Sequence, residues 1–375
     1  MDKFSFLNAA HTGYIADLYD KYLQNPDIVE PSWRSFFQGY DLANENFSLT
    51  DDSEPSVEIP QSFRKEFLVV DLINGYRTRG HLFTKTNPVR DRRKYTPTLD
   101  IENFGLSKSD LDSTFNAGEI VGIGPKKLSE IIGHLERTYC DSIGVEYMYM
   151  RNPEKITWWK DRLMVNDNHP NYTQDAKKYI LSKLNQAVTF ESFLQTKYVG
   201  QKRFSLEGGE ALIPGISVAL RNAAEVYGVE ECVLGMAHRG RLNTLVNIFK
   251  KPIRDLFSEF EGKDFEDTNI DGDVKYHLGL TLSKTFRNGK QIKMNLVPNP
   301  SHLETVAAVA EGITRAKIDR KYNGDESKIL PIIVHGDAAI AGQGIAYEVT
   351  QMAKLNGYKT GGTIHIVVNN QIGFT

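Results

Sequence analysis

The chain is poor in cysteine, in long apolar runs and in net charge, and each of these absences excludes a class of protein. Its two cysteines, Cys140 and Cys232, form no CxxC pair and no metal-binding spacing, which excludes a disulfide scaffold and a zinc ribbon. No apolar run reaches the roughly 20 residues that a membrane-spanning helix needs. A net charge of -3 gives no general attraction to nucleic acid or to an anionic membrane.

The N-terminal stretch, MDKFSFLNAA, has no targeting pattern. It carries charge early and has no continuous apolar core, so it does not read as a secretory signal, and it lacks the arginine-rich character of a transit peptide. Together with cysteines that need no oxidising compartment, this predicts a bacterial cytoplasmic protein.

The 375 residues are enough for two or more domains. Apolar residues at helical spacing in YIADLYDKYLQNP, followed by PSWRSFF, predict short helices that either meet a partner or dock on the main body. An acidic stretch poor in large apolar groups follows, and then further helices are predicted, among them 126–140 and 172–198. We therefore predict a helical N-terminal segment at 1–40, a flexible acidic linker at 41–60, a mainly helical domain at 61–200 and an α/β domain at 201–375.

The α/β prediction depends on alternating patterns in the last part of the chain. Short runs rich in Val and Ile, such as ECVLGMA, IKMNLVPN, LPIIVHGD and TIHIVVNN, alternate with helical stretches. This order predicts a parallel sheet flanked by helices on both faces. Because the chain stops just after the last of these runs, we expect the domain to be truncated at its C-terminal end.

Polar side chains follow the predicted strands, where ligands collect in such a sheet. They are His238 and Arg239 after VLGMA, His277 after VKY, Ser301, His302, Leu303 and Glu304 after MNLVPNP, Asp337, Ala338 and Ala339 after PIIVHG, and Asn369 and Asn370 after HIVV. Each one alone has a plain explanation, such as a helix cap at Asp337 or a buried structural histidine. Five such strand ends together favour a binding site.

The last two strand ends suit a metal-bound diphosphate. In GDAAIAGQG, small residues open a helix and let its backbone approach an anion. Asp337, the side chain of Asn370 and the backbone carbonyl of Ile372 are three protein oxygens for Mg²⁺, and two diphosphate oxygens and a water would complete an octahedron.

The spacing from Gly336-Asp337 to Asn369-Asn370, about thirty residues, resembles the thiamine diphosphate motif GDG…NN, with Ala338 in place of its third residue. In order along the chain, LYDKYLQNPDIVEPSWRSFF, INGYRTRGHL, KRFSLEGGEALIP, GMAHRGRLN, DVKYHLG, NPSHLE and GDAAIAGQG…NNQIGFT resemble the E1 component of the 2-oxoglutarate dehydrogenase complex. The resemblance runs from end to end, but members of that family are more than twice as long.

The resemblance implies an activity and its partners. It implies thiamine diphosphate and Mg²⁺ as cofactors, oxidative decarboxylation of 2-oxoglutarate, and transfer of the four-carbon acyl group to a lipoyl group of the E2 partner, with E3 in the same complex. It also implies a homodimer, and a pyrimidine-binding domain with an activating glutamate beyond residue 375. The chain alone is therefore expected to be inactive.

The resemblance also implies roles for single residues. His238 and His277 match histidines that contact the substrate. His302 lies between two residues that match cofactor contacts, and it is a third candidate whose orientation toward the active site the resemblance leaves open. Arg239, Ser301 and Leu303 match cofactor contacts, with Leu303 shaping the bent cofactor, and Ala338 and Ala339 would offer backbone groups to the diphosphate. The turn Glu207–Gly209 is expected to support the site without a chemical role.

Three alternatives remain open from the residues. The stretch GIGPKK at 122–127 resembles a DNA-binding helix-hairpin-helix turn, although its surroundings are not basic. A non-catalytic scaffold would keep the fold without turnover. A different thiamine diphosphate enzyme would use another 2-oxo acid, such as pyruvate or 2-oxoadipate.

Overall fold

The computed structural model describes residues 12–46, 61–87, 93–261, 277–299 and 302–369. The chain divides into two compact units, Met1–Asn171 and Tyr172–Thr375. The sequence predicted a boundary after residue 200, whereas the two units divide after Asn171. The long helix Gln174–Lys197 therefore belongs to the second unit. The assignment of functional domains remains a prediction.

The first unit is helical, as the patterns predict. Its aromatic cluster centres on the buried Trp33, whose ring contacts those of Phe37, Phe63 and Phe67. The elements are α1 (Thr12–Gln24), α2 (Pro31–Asn46), α3 (Gln61–Arg79), a small antiparallel pair of β1 (Thr114–Phe115) and β2 (Lys126–Lys127), α4 (Leu128–Tyr139) and α5 (Pro153–Met164).

Two expectations for the first unit are modified. Helix α2 runs through residue 46, so the first residues of the predicted linker are helical, and 47–60 lie outside the described residues. The GIGPKK stretch follows a short 3-10 helix, and its two lysines form β2. Lys127 also pairs with Asp112 at 3.1 Å. This arrangement gives no support to a DNA-binding turn between two α-helices.

The second unit is a five-stranded sheet with helices on both faces, which confirms the predicted fold class. Strands β3, β5, β6 and β7 are parallel, and the strand order is β4-β5-β3-β6-β7. The elements are α6 (Gln174–Lys197), α7 (Leu212–Glu225), β3 (Glu231–Met236), α8 (Arg241–Asn247), α9 (Ile253–Phe260), β4 (Leu280–Thr285), β5 (Gln291–Leu296), α10 (Thr305–Lys321), β6 (Ile329–Gly336), α11 (Asp337–Gly342), α12 (Gly344–Met352) and β7 (Ile364–Val368).

Burial explains which strands the sequence reveals. Every residue of β3, at the centre of the sheet, is buried, and central strands of this kind read as apolar runs. Helices α6 to α9 pack on one face of the sheet, and α10 and α12 pack on the other. None of the helices in the described part of the chain is long and apolar enough to cross a membrane.

Strand β4 differs from the prediction. It runs antiparallel to β5 and forms a hairpin with it, with Gly289 in the left-handed region at a φ of 82°. Its residues alternate between exposed and half-buried, so it has no apolar run to reveal it. The VKY stretch that was read as a strand, residues 274–276, lies outside the described residues.

Candidate active site

The register of the sheet brings the predicted strand ends to one edge. His238 follows β3, and Asp337 follows β6, its parallel neighbour. His277 does not end a described strand but precedes β4. Because β4 is antiparallel and its first residue, Leu280, pairs with Leu296 at the end of β5, His277 still lies at the carboxyl edge of the sheet.

His238 and His277 form a stacked pair at this edge. Their ring centroids lie 5.0 Å apart with an interplanar angle of 27°. Asn299 joins them, because its carbonyl oxygen lies 3.0 Å from His238 Nε2 and its backbone N–H donates to the His277 carbonyl at 2.9 Å. A carbonyl only accepts hydrogen bonds, so Nε2 of His238 carries the proton and Nδ1 is the basic nitrogen of the neutral ring.

The surroundings of His238 favour its neutral form. Burial lowers the pKa of His238 most, and the neighbouring His277, Arg241 and Lys202 lower it further, while the hydrogen bond to Asn299 acts in the opposite direction. His238 is therefore expected to be uncharged near pH 7, where its basic nitrogen can accept a proton.

Asn299 is a positioning residue that the sequence patterns did not identify. It is 4% exposed, and its side-chain amide donates to the carbonyl of Met236, the last residue of β3, at 2.7 Å. Its side-chain oxygen is buried and has no hydrogen-bond partner among the described residues. The only signal in the sequence is an asparagine between two prolines at a strand end.

Arg241 was also missed, and it holds the same region together. Its guanidinium is fully buried and donates to the carbonyls of Leu278 and Val297 at 2.8 Å each and to Met236 at 3.3 Å. Burial lowers its pKa to about 10, so it remains charged at neutral pH. These bonds tie the ends of β3 and β5 to the segment that carries His277.

The turn after β3 is braced by the KRFSLEGGE segment. Gly240, at a φ of 74°, donates its N–H to the Phe204 carbonyl at 3.0 Å, and Arg239 donates to the Ser205 carbonyl at 3.0 Å. A Cβ on Gly209 would lie 3.0 Å from Val368, so this segment also approaches the end of β7 closely. The support expected of Glu207–Gly209 fits this packing, and the cofactor contact of Arg239 remains a prediction.

Asp337 is suited to bind a hard cation. Its carboxylate is half-exposed at the end of β6, and no described residue pairs with it or donates to it. Ala338 and Ala339 follow it in α11 and are half-buried. The described residues contain no cluster of three or more His, Cys, Asp and Glu side chains that could hold a metal. Asn370 and Ile372, the other predicted ligands, lie outside the described residues, so the magnesium site remains a prediction.

The segment before α10 contains predicted site residues that are exposed, followed by a residue that is buried. His302 is exposed and Leu303 is 52% exposed, so neither lines an enclosed site within this chain. Ser301 lies outside the described residues. The next residue, Glu304, is buried and has a φ of 67°, in the left-handed region.

Glu304 begins a chain of hydrogen bonds that the sequence did not predict, and its first two members, Glu304 and His335, are buried. Its carboxylate contacts Nδ1 of His335, and Nε2 of His335 lies 2.9 Å from Nδ1 of His365. A carboxylate only accepts hydrogen bonds, so His335 donates to Glu304 from Nδ1. Burial and the neighbouring His335 lower the pKa of His365. These hydrogen bonds thus link the residue that precedes α10 to β6 and β7, next to Asp337.

Comparisons with known proteins match the whole length of this chain. The sequence profile of a family described as "Dehydrogenase E1 component" matches residues 182–375, and that of "2-oxoglutarate dehydrogenase N-terminus" matches residues 4–44. The first profile covers the sheet and all the candidate site residues.

Several curated proteins are similar to the chain. A 2-oxoglutarate dehydrogenase E1 component of Azotobacter vinelandii is 40% identical over 98% of this chain, and one of Cupriavidus necator is 41% identical over 99% of it. A 2-oxoglutarate dehydrogenase E1/E2 component of Corynebacterium glutamicum is 50% identical over 83% of it. The chain spans 41% of the length of the first two proteins and 26% of the third.

Proposed function

The chain belongs to the dehydrogenase E1 component family, and from this premise we propose that the whole protein is the E1 component of a 2-oxoglutarate dehydrogenase complex. It decarboxylates 2-oxoglutarate oxidatively and passes the four-carbon acyl group to a lipoyl group of the E2 partner. The similarity to E1 components named for this substrate supports the choice, together with matches that run through both units of the chain.

The observation that carries this proposal is the pair of histidines at the carboxyl edge of the sheet. In the proposal, His238 accepts and returns a proton at Nδ1 while its other nitrogen is held by the Asn299 carbonyl. His277, stacked against it, hydrogen-bonds a substrate carboxylate. Asn299 and Arg241 fix the distance between the two rings, because they bind the backbone on both sides. The exposed His302 is a third candidate in this proposal.

The family depends on thiamine diphosphate, which when bound supplies the electron sink for decarboxylation. We assign Mg²⁺ to the carboxylate of Asp337, the side-chain oxygen of Asn370 and the carbonyl of Ile372. Ala338 and Ala339 would offer backbone N–H groups to the diphosphate, and Arg239, Ser301 and Leu303 would contact the cofactor. The carboxylate of Asp337, which pairs with no residue in the described part of the chain, supports this assignment.

The proposed partners are the other members of the complex. Membership of the family implies an E2 acyltransferase, and we add the E3 dihydrolipoyl dehydrogenase and a second copy of the same E1 protein. A cytoplasmic location in a bacterium remains a prediction.

Turnover of competing 2-oxo acids tests the proposal. The full-length gene product, supplied with Mg²⁺ and thiamine diphosphate, is assayed by reduction of an artificial electron acceptor with 2-oxoglutarate, pyruvate and 2-oxoadipate in parallel. We expect kcat/KM to be highest for 2-oxoglutarate by at least about tenfold, a difference of roughly 1.4 kcal/mol in transition-state binding. A preference for either other acid would refute the substrate, and turnover of none of them with cofactor bound would refute the reaction.

A further inference from the structure

Another cavity lies at the opposite end of the same sheet. It has a volume of about 900 Å³ and is formed by the start of α6, the end of α7, the segment after α8 and the β4–β5 turn. Thr285 in its wall pairs with Gln291, the first residue of β5, so the cavity faces the amino ends of the parallel strands. It is therefore separate from the edge that carries His238.

Positive charge dominates this cavity. Two carboxylates, Asp175 and Glu225, line it, and Glu225 already pairs with Arg221 at 3.4 Å. The cationic side chains that line it are Lys178, Lys183, Arg221, Lys250, Lys284 and Arg287.

Three of the lysines have no neutralising partner. Within the described residues, no carboxylate pairs with Lys183, Lys250 or Lys284, and Lys183 donates a hydrogen bond to the neutral Gln186 at 3.0 Å. Lys183 and Lys284 are half-buried, and their ammonium groups lie over the rings of Tyr179 and Phe286 at 5.9 and 5.1 Å from the centroids. The rings hold the ammoniums in place without cancelling their charge.

The positive charges of the three lysines repel each other. Burial, together with the charges of Lys250 and Lys284, lowers the pKa of Lys183 to about 8. Burial also lowers the pKa of Lys284, with Lys250 as the second cause. An anion bound among these side chains would offset both the cost of burying the ammonium groups and the repulsion between them, because an opposite charge favours the protonated form.

The backbone is strained where it delivers the third lysine. Lys250 follows α8 with a φ of 57°, in the left-handed region where glycine is the usual residue. Strained positions of this kind persist where the surroundings hold them and are concentrated at binding sites. The sequence therefore has a lysine, whose side chain lines the cavity, at a backbone position that glycine would adopt with less strain.

We propose that this cavity binds a small anion with two or more phosphate groups, such as an inorganic oligophosphate or the phosphate chain of a nucleotide. Three converging ammoniums exceed what a single carboxylate would neutralise, and lysine is an established phosphate ligand as a point charge. The N-terminal end of α6, a helix of 24 residues whose cap is Thr173, adds its positive dipole end. The proposal is independent of the decarboxylase function because none of its residues belongs to that site.

Calorimetric titration of the full-length gene product, already loaded with its cofactors, with inorganic tripolyphosphate tests the proposal. We expect one binding site, weakened about tenfold or more in Lys183→Gln and in Lys284→Gln, since each removes a charged hydrogen-bond donor. The matched control is Lys354→Gln, an exposed lysine of the same unit outside the cavity, which should bind within about twofold of the wild type. Absence of saturable binding, or equal weakening in all three variants, would overturn the site.

Two further measurements identify the ligand and check the folding of the variants. If ATP binds with the same affinity as tripolyphosphate, the cavity recognises the phosphate chain alone. If ATP binds more tightly than tripolyphosphate, the cavity recognises a nucleotide. Adenosine should not bind in either case. Without ligand, Lys183→Gln and Lys284→Gln should melt at or above the wild-type temperature because each removes a repelling charge. Lower melting temperatures, or binding of an acidic peptide in place of tripolyphosphate, would contradict the proposal.

Discussion

The carbonyl of Asn299 accepts a hydrogen bond from Nε2 of His238 at 3.0 Å, although the two residues are 61 positions apart in the chain. The same asparagine binds the backbone of His277. The backbone of one buried residue therefore sets the tautomer of one histidine and the position of the other.

Protonation of His238 should destabilise the fold. Its pKa in the folded protein lies below the unfolded value of about 6.5, so its neutral form contributes stability above that pH, and this stability is lost as the pH falls through the folded pKa. Urea unfolding of the wild type and of His238→Gln at pH 8, 6.5 and 5.5 measures the effect. The wild type should lose more stability than the variant between pH 6.5 and 5.5. Parallel losses in the two proteins would show that His238 does not titrate as described.

Replacing Arg241 should destabilise the second unit strongly. Arg241→Ala leaves the carbonyls of Leu278 and Val297 without their donor in a buried site, which costs about 3 kcal/mol in the free energy of unfolding. The control is Arg254→Ala, whose side chain is 92% exposed and which should change stability by less than about 0.5 kcal/mol. Urea unfolding measures both, and similar values for the two variants would refute a structural role for Arg241.

Loss of His335 should leave Glu304 buried without its partner. His335→Ala is expected to lower the free energy of unfolding by about 2–3 kcal/mol, since an unsatisfied buried charged group carries most of its desolvation cost. His302→Ala, at an exposed histidine two positions before Glu304, provides the control and should have little effect on thermal or urea unfolding. A second variant, Glu304→Gln with His335→Ala, should recover part of the loss. No recovery would mean that the carboxylate is not the source of the cost.

Asp337 should control metal-dependent cofactor binding. In the full-length gene product, Asp337→Ala is expected to abolish the Mg²⁺-dependent part of thiamine diphosphate binding, because a carboxylate is the strongest oxygen ligand in the proposed set. Calorimetric titration with and without Mg²⁺ measures this. Asp112→Ala, at an aspartate with a side chain 90% exposed, should bind as the wild type does. Unchanged binding in Asp337→Ala would refute the metal assignment.

The sequence predicted the fold where the signal was local. Runs such as ECVLGMA and LPIIVHGD identify β3 and β6 because central strands are apolar throughout, whereas β4 alternates at the edge and was missed. His238 and Asp337 could be found because strand ends follow directly from strand runs. Asn299, Arg241 and His335 could not, because each is defined by bonds to residues far away in the chain, as in the 63-residue separation of Asn299 and Met236. No periodic pattern encodes such bonds.

The most direct test of the histidine pair is turnover of 2-oxoglutarate by full-length protein carrying His238→Ala or His277→Ala, with thiamine diphosphate binding measured in the same samples. We predict that kcat falls about 10²- to 10⁴-fold in the His238 variant, the usual range for loss of a positioned acid or base, while the cofactor still binds. His169→Ala, an exposed histidine of the first unit, should keep its activity. Wild-type kcat in both the His238 and the His277 variants would contradict the catalytic role of this pair.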